Sequence, residues 1–360
     1  MLYKKNYKDV IKRLTEFYER KGLNKIYAVM NVENSRLTEY KNNTSDGETT
    51  YPDLNDRIKL WDEICRENQT INDDSLRIAY LSELDEGLYG GLVGGKLRFI
   101  NDSTTAWISS MTEPFIEELE EALNLELPND DQIWMKRYIE QLKLYKEKSN
   151  NLFGISHFIL IDGINFLFEL RGATNAFYDV LDNEEVAKKV MEFAKKLNVQ
   201  VQNLYFDIIG LFEGGTVSNM LQWCPGKIVS ESVDPFHLTD LDFFDQYGKD
   251  YIEDVVSNFD GFCVHIHANG YYLVEKVSQL KGIKGMYLLD DPYNPRAFDQ
   301  IDELDKARGT TPIVVTLTYD EFKTGLDNHT LKGNIMYNVL DVPSVDEAND
   351  LMKKVYKYEA

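Results

Sequence analysis

From about residue 150 to the end of the chain, short apolar runs alternate with helical stretches, and this alternation constrains the fold more than any other feature. The runs are Ser156–Ile161, Gly215–Trp223, Gly261–His267, Ile283–Leu289, Thr311–Leu317 and Gly333–Leu340. Between and after them lie helical patterns over about 164–181 and 183–209, then Asp240–Asn258, Tyr271–Leu280, Arg296–Arg308, Tyr319–Gly325 and Ser344–Tyr358. The last opens on the capping box Ser344-Val-Asp-Glu347. Strands joined by helices pair in parallel through right-handed crossovers. Earlier in the chain, residues 6–22 read as an amphipathic helix, Ile26–Val32 as a strand, residues 39–56 as a polar loop, 55–67 as a helix and Leu76–Leu84 as a strand. Two further units there bring the count to eight. The expected fold is therefore α/β, a single (β/α)8 barrel over residues 1–360 with residues 1–25 as a helical extension. An open doubly wound sheet competes, but no GxGxxG follows the first strand.

Composition narrows the partners. A net charge of −22 argues against nucleic acid, which needs a basic surface, and against anionic membrane surfaces. Cys65, Cys224 and Cys263 are too few and scattered for a disulfide framework and suit a reducing compartment. No secretory signal and no apolar run of roughly 18 residues is expected. The reading is a cytoplasmic protein. The patch Gly87-Leu-Tyr-Gly90-Gly91-Leu-Val-Gly94-Gly95 lacks the Lys-Ser/Thr of a phosphate loop. It implies close backbone packing or a mobile active-site loop. Asp73-Asp74 and the acidic run 117–121 read as solvated faces.

The chemistry is expected at the C-terminal ends of the strands. Five histidines serve the whole chain, and His265 and His267 stand two positions apart in Val264-His265-Ile266-His267-Ala268-Asn269-Gly270. On a strand that spacing sends both imidazoles to one face. Three readings compete: a metal such as zinc with a carboxylate as third ligand, a metal-free acid/base or hydrogen-bonding site, and a satisfied core histidine beside a capping one. Other strand ends carry Asp162 and Asn165, Gln222 and Trp223, Glu231 and Asp234, Asp290 and Asp291, and Asn338 and Asp341. Cys224, before Pro225, reads as a packed thiol.

Three pieces of the second half resemble the uroporphyrinogen decarboxylase superfamily. They are Leu170-Arg171-Gly172-Ala-Thr-Asn175-Ala-Phe-Tyr178 with Asp182-Asn-Glu-Glu, then Val229-Ser-Glu231-Ser-Val-Asp234, and His265-Ile-His267-Ala-Asn269-Gly270 with the closing Gly333–Asn338 and Ser344–Ala348. The superfamily includes the heme-pathway decarboxylase and cobalamin:coenzyme M-type methyltransferases. The resemblance implies a barrel with its cleft at the strand C-termini. In the methyltransferase branch, His-x-Cys and a later Cys hold zinc. Here His267 replaces that Cys and no cysteine follows Cys263, so a metal would need His265, His267 and an acid such as Asp290. The decarboxylase branch's arginine-rich N-terminal carboxylate clamp is missing; residues 26–36 offer Arg36 alone.

The resemblance thus implies an enzyme acting on a small, non-porphyrin molecule, most simply by methyl transfer with a corrinoid protein or free corrinoid as partner. His265 and His267 bind metal or substrate, Glu231 and Asp234 act as acid/base or orienting groups, and Asp290 is the third ligand or an orienting group. Asp162, Trp223, Asn269 and Asp291 line the substrate site. A metal-independent decarboxylase or lyase and a non-catalytic binding protein are the alternatives. A homodimer stays open.

Overall fold

The computed structural model describes residues 1–157 and 159–360. Its central element is a seven-stranded sheet of β1 (Ile26–Val32), β2 (Ile159–Leu160), β3 (Ile228–Glu231), β4 (Gly261–His267), β5 (Ile283–Leu289), β6 (Ile313–Thr318) and β7 (Ile335–Val342). The spatial order is β1-β7-β6-β5-β4-β3-β2, and every neighbouring pair is parallel. Helices intervene between consecutive strands from β2 onward, and the β2–β3 connection also carries a hairpin. The α/β class expected from the alternation is realised. Of the run predicted over 156–161, the strand keeps Ile159–Leu160, and Phe158 lies outside the described residues.

Alternation along the strands sorts the core into two clusters. Ala28, Val229, Phe262, Val264, Val315 and Tyr337 pack on the helix side, whereas Tyr27, Ile159, Ile228, Cys263, Val314 and Met336 pack on the other face. This follows from the two-residue period of a strand. The second cluster is completed by Val10, Leu14, Phe17 and Tyr18 of the helix Tyr7–Tyr18 and by Val217, Met220, Leu221 and Trp223. The N-terminal helix therefore covers the inner face of the sheet.

The predicted strand Gly215–Trp223 is corrected. It is an antiparallel hairpin, Gly215–Ser218 against Gln222–Pro225, with Val217 opposite Trp223. Ser218 Oγ accepts from the Met220 and Leu221 N–H groups at 3.1 Å, and Gln222 takes φ 65° to close the turn. The sheet strand is the fully buried four-residue run that follows, Ile228–Glu231.

The first third departs furthest from expectation. Residues 39–56 are not one loop: Ser35–Asn43 is a helix capped by the Asn34 side chain, and Gly47–Thr49 is a strand. That strand joins Lys96–Asp102 and Trp107–Glu113 in a three-stranded antiparallel sheet. The predicted strand Leu76–Leu84 shrinks to Ile78–Ala79, paired in parallel with Gly154–Ile155. The glycine patch forms a short helix, Gly87–Leu92, pressed on the hairpin. A Cβ on Gly90 would lie 2.2 Å from Thr112 Oγ1, so close packing is what the glycines provide.

Asp73 and Asp74 are not solvated. Both are buried, and their carboxylates accept the N–H groups of Met30 and Ala28 in β1 at 2.8 and 3.0 Å. Asp74 N–H in turn donates to Ala28 O at 2.9 Å. Side-chain oxygens thus stand beside β1 where a neighbouring strand's carbonyls would, satisfying buried donors that would otherwise be costly. Lys4 Nζ lies 2.6 Å from Asp73, and Arg13 Nε 2.6 Å from Asp74. Burial alone would raise the Asp73 carboxyl, but Lys4, Arg77 and its hydrogen bonds bring it down to about 2. Burial pushes the Lys4 ammonium down to about 8 against the pull of Asp73. The carboxylate carries the lock, because it also accepts from Met30 N–H and Ser75 Oγ.

Removing the Asp73 charge strands two buried cations. Asp73→Asn is therefore expected to lower unfolding free energy by about 3–5 kcal/mol, read from urea titration. Because the folded carboxyl titrates below the unfolded one, its stabilisation is complete above about pH 4. It is lost as the pH falls toward 2. A wild-type-like acid limb in the variant would contradict this assignment.

Candidate active site

His265 and His267 sit at the C-terminal end of β4, on the same face as Cys263. They border a cavity of about 790 Å³. Its walls come from several elements: Val29 of β1, Tyr287 of β5, Asn338 of β7, Trp107 of the antiparallel hairpin and Met220 of the hairpin turn. The convergence of strand ends foreseen from the sequence is present, but the set of acids differs.

Asp234 provides the carboxylate that meets the histidines. It follows β3 by three residues, at the start of the turn Asp234–Leu238. His265 Nε2 lies 3.0 Å from its Oδ1 and 3.3 Å from its Oδ2, and His267 Nε2 lies 3.9 Å from Oδ1. One ligand atom from each of Asp234, His265 and His267 falls within 4.8 Å of the others. Burial would hold His265 neutral, but the Asp234 charge and hydrogen bond, with Glu86 and Asp85 nearby, push it up to about 9. Burial would also raise Asp234, yet the His265 charge and hydrogen bond, then His267 and His237, hold it far below the usual carboxylate range. The pair is ionised at neutral pH.

Asp291 orients His267. Its carboxylate lies 3.0 Å from His267 Nδ1 and accepts the Ala268 N–H at 2.8 Å. A carboxylate beside Nδ1 fixes the ring orientation, and Nε2 then faces Asp234. Asp290 is corrected as a ligand. It accepts from Ala297 N–H at 2.8 Å and from the Tyr271 hydroxyl at 3.1 Å, capping the next turn instead.

Other expected residues stand elsewhere. Glu231 lies on the opposite face of β3, fully buried, with neither carboxylate oxygen hydrogen-bonded. Burial, with Asp162 adding to it, raises its carboxyl well above the ordinary value. Asp162 caps the helix Gly163–Arg171 through Ile164 and Asn165 N–H. Burial raises it to about 8. Trp223 is buried in the inner cluster and donates to Phe212 O, and Asn269 is exposed. None of these four borders the cavity.

Three residues unassigned in the sequence reading do belong here. His237 Nδ1 lies 3.8 Å from Asp234, and burial pushes its imidazole down to about 4. Asp85 and Glu86 line the same cavity as the histidines, close enough to act on the His265 charge. Burial raises both carboxyls, with Glu86 adding to the effect on Asp85 and Asp234 to that on Glu86. Asp85 N–H donates to Ser82 O at 3.1 Å and its carbonyl accepts from Ser110 Oγ at 3.3 Å, while the neighbouring Glu83 is buried against Arg57 Nε at 2.5 Å and Gln141 Nε2 at 2.7 Å. The acidic residues before the glycine patch were the available signal.

No protein-family model and no curated protein matches the sequence. Among solved structures, a match is a methyltransferase from Methanosarcina mazei. It is 12% identical, with a TM-score of 0.61 over 97% of this chain and 98% of that one. The two share a fold. Identity this low speaks to architecture and not to chemistry.

His237 packs closely on Gly270, where a Cβ would lie 2.0 Å from its Cδ2. Gly270→Ala is expected to cost about 1–3 kcal/mol of stability in urea unfolding. It should also displace the His237 ring resonances in an NMR spectrum. An unperturbed spectrum would show that His237 is not packed this way.

Proposed function

We propose that the protein is a methyltransferase-like enzyme acting on a small, non-porphyrin molecule in the cavity beside His265. The observation that carries the reading is the convergence of Asp234, His265 and His267 within 4.8 Å, on a fold shared over 97% of the chain with a methyltransferase. The reading treats residues 1–360 as one unit. Its parallel strands form an eight-membered ring, the segment Asp73–Ala79 filling the place beside β1. Hydrogen bonds between Asp73, Asp74 and β1 support that closure.

Two imidazoles and a carboxylate are a donor set that suits zinc with one position left for substrate. Asp234, His265 and His267 would hold it, replacing the trio with Asp290. A zinc ion there would supply Lewis acidity, keeping a thiol or hydroxyl anionic at neutral pH. Asp291 fixes the His267 ring so that Nε2 faces Asp234. Asp234 holds the His265 proton on Nε2 until a metal competes for the same atoms. Tyr287 and Asn338 are joined by a 3.3 Å hydrogen bond and give the far wall a polar surface for substrate. The methyl donor in this reading is a corrinoid, free or carried by a partner protein.

Metal content tests the proposal. About one equivalent of zinc is expected in purified protein, lost in Asp234→Ala, His265→Ala and His267→Ala and kept in Asp290→Ala. With methylcobalamin and a small thiol, the first three variants should lose methyl transfer. A metal-free, inactive wild type would overturn the reading. A metal-independent lyase is the second reading. Its support is the Asp234-held imidazolium of His265, a proton donor for a carbanion formed on decarboxylation. Activity that survives chelation would favour it.

A further inference from the structure

The cavity carries a charge pattern that the metal trio does not use. Besides Asp234, three carboxylates line it: Asp85, Glu86 and Asp102. Among the described residues lining it there is no lysine and no arginine. Asp85 is 8% exposed, and its Oδ1 has no hydrogen-bond partner among the described residues. A buried carboxylate oxygen without a donor is costly unless something cationic or hydrogen-bonding comes to it.

The surfaces around these acids are aromatic. Tyr80 and Trp107, ring centroids 5.6 Å apart, line the cavity on the antiparallel-hairpin side, and Tyr287 lines it from β5. Faces of Trp and Tyr attract cations through the ring quadrupole, most strongly where water is excluded. A small divalent metal would instead call for several converging oxygen ligands. Rings and carboxylates around a space of about 790 Å³ suit a bulkier, weakly hydrated cation.

We infer that the substrate carries a small organic cation, an alkylated ammonium, seated between Asp85, Glu86 and the rings of Tyr80, Trp107 and Tyr287. This rests on the cavity being the substrate site of the function proposed above, and it names the substrate class that site takes. The cation would lie against the Asp85 Oδ1 that no described donor reaches, and would favour the ionised form that burial otherwise disfavours. It would face the aromatic wall, next to the Asp234–His265 pair where the reacting group would sit. Asp85 is fixed by backbone hydrogen bonds to Ser82 O and from Ser110 Oγ, next to the buried Arg57–Glu83–Gln141 contacts.

Calorimetry on the full chain after chelator treatment tests this without any transfer chemistry. The probes are choline and its neutral carbon isostere 3,3-dimethyl-1-butanol. Choline is expected to bind at least about tenfold more tightly than the isostere, the scale of a desolvated cation–aromatic contact. Glu86→Gln and Trp107→Leu should each weaken choline about fivefold or more, with the unfolding midpoint checked to confirm a folded chain. Asp85→Asn should do the same if it folds. Equal binding of the two probes, no choline binding, or choline affinity unchanged in both Glu86→Gln and Trp107→Leu would overturn the inference. Choline binding without zinc or methyl transfer would leave this assignment standing while the proposed reaction fails. Zinc and transfer without choline selectivity would do the reverse.

Discussion

The Asp234 carboxylate reaches His265 because β3 and β4 are parallel neighbours whose register places Glu231 beside Val264. Three residues past the end of β3, the chain has turned far enough to hang a side chain over the next strand's terminus. Ser232 steadies that turn, its N–H bonded to Leu160 O and its Oγ accepting from Asp234 N–H. An anion at this spot reverses what burial alone would do to His265, which keeps its proton up to about 9. The cavity's chemistry depends on what occupies the space between Asp234 and the two imidazoles. A proton there makes an acid, and a metal ion makes a site for an activated nucleophile.

The two-residue spacing of His265 and His267 was enough to put both rings on one face, because strand alternation is local geometry. The same rule separates Glu231 from the site. One residue out of phase with Ser230, it faces the helix layer, and no pattern in Val229-Ser-Glu231 reveals which parity faces the cavity. β4 and β5 were legible to their end residues, since long apolar runs bounded by helices leave little choice. The hairpin Gly215–Pro225 was read as one strand because its turn is built from Ser218–Gln222 without the Asn-Gly or Asp-Gly signal of a tight hairpin. That error displaced the third sheet strand to residues that do not belong to it. It also put Trp223 at the cavity instead of in the inner cluster.

Asp73-Asp74 shows why charge is a poor guide in the first third. Two adjacent acids look solvent-facing, yet here they complete the hydrogen bonding of a buried strand and are held there by Lys4 and Arg13. Asp85 and Glu86 escaped notice for a related reason. Their approach to the histidines follows from the tertiary packing of a glycine helix on a hairpin and from a buried Arg57–Glu83 pair. Neither has a sequence periodicity. The glycines themselves were legible as a demand for close approach, though not what they brought close.

The net charge of −22 suggests only a well-solvated surface until the acids are located. Several of the chain's cations are enclosed in ion pairs away from the cavity: Lys4 with Asp73, Arg57 with Glu83, Arg171 with Asp179. The cavity is left with Asp85, Glu86, Asp102 and Asp234 facing His265 and His267. Low-dielectric walls focus such a field into the space between them. A polycarboxylate porphyrinogen entering it would meet like charge with no arginine among the described lining residues to pair bidentately with it. In the proposed function, this acidic lining adds a repulsion against a polyanion and favours neutral or positively charged molecules.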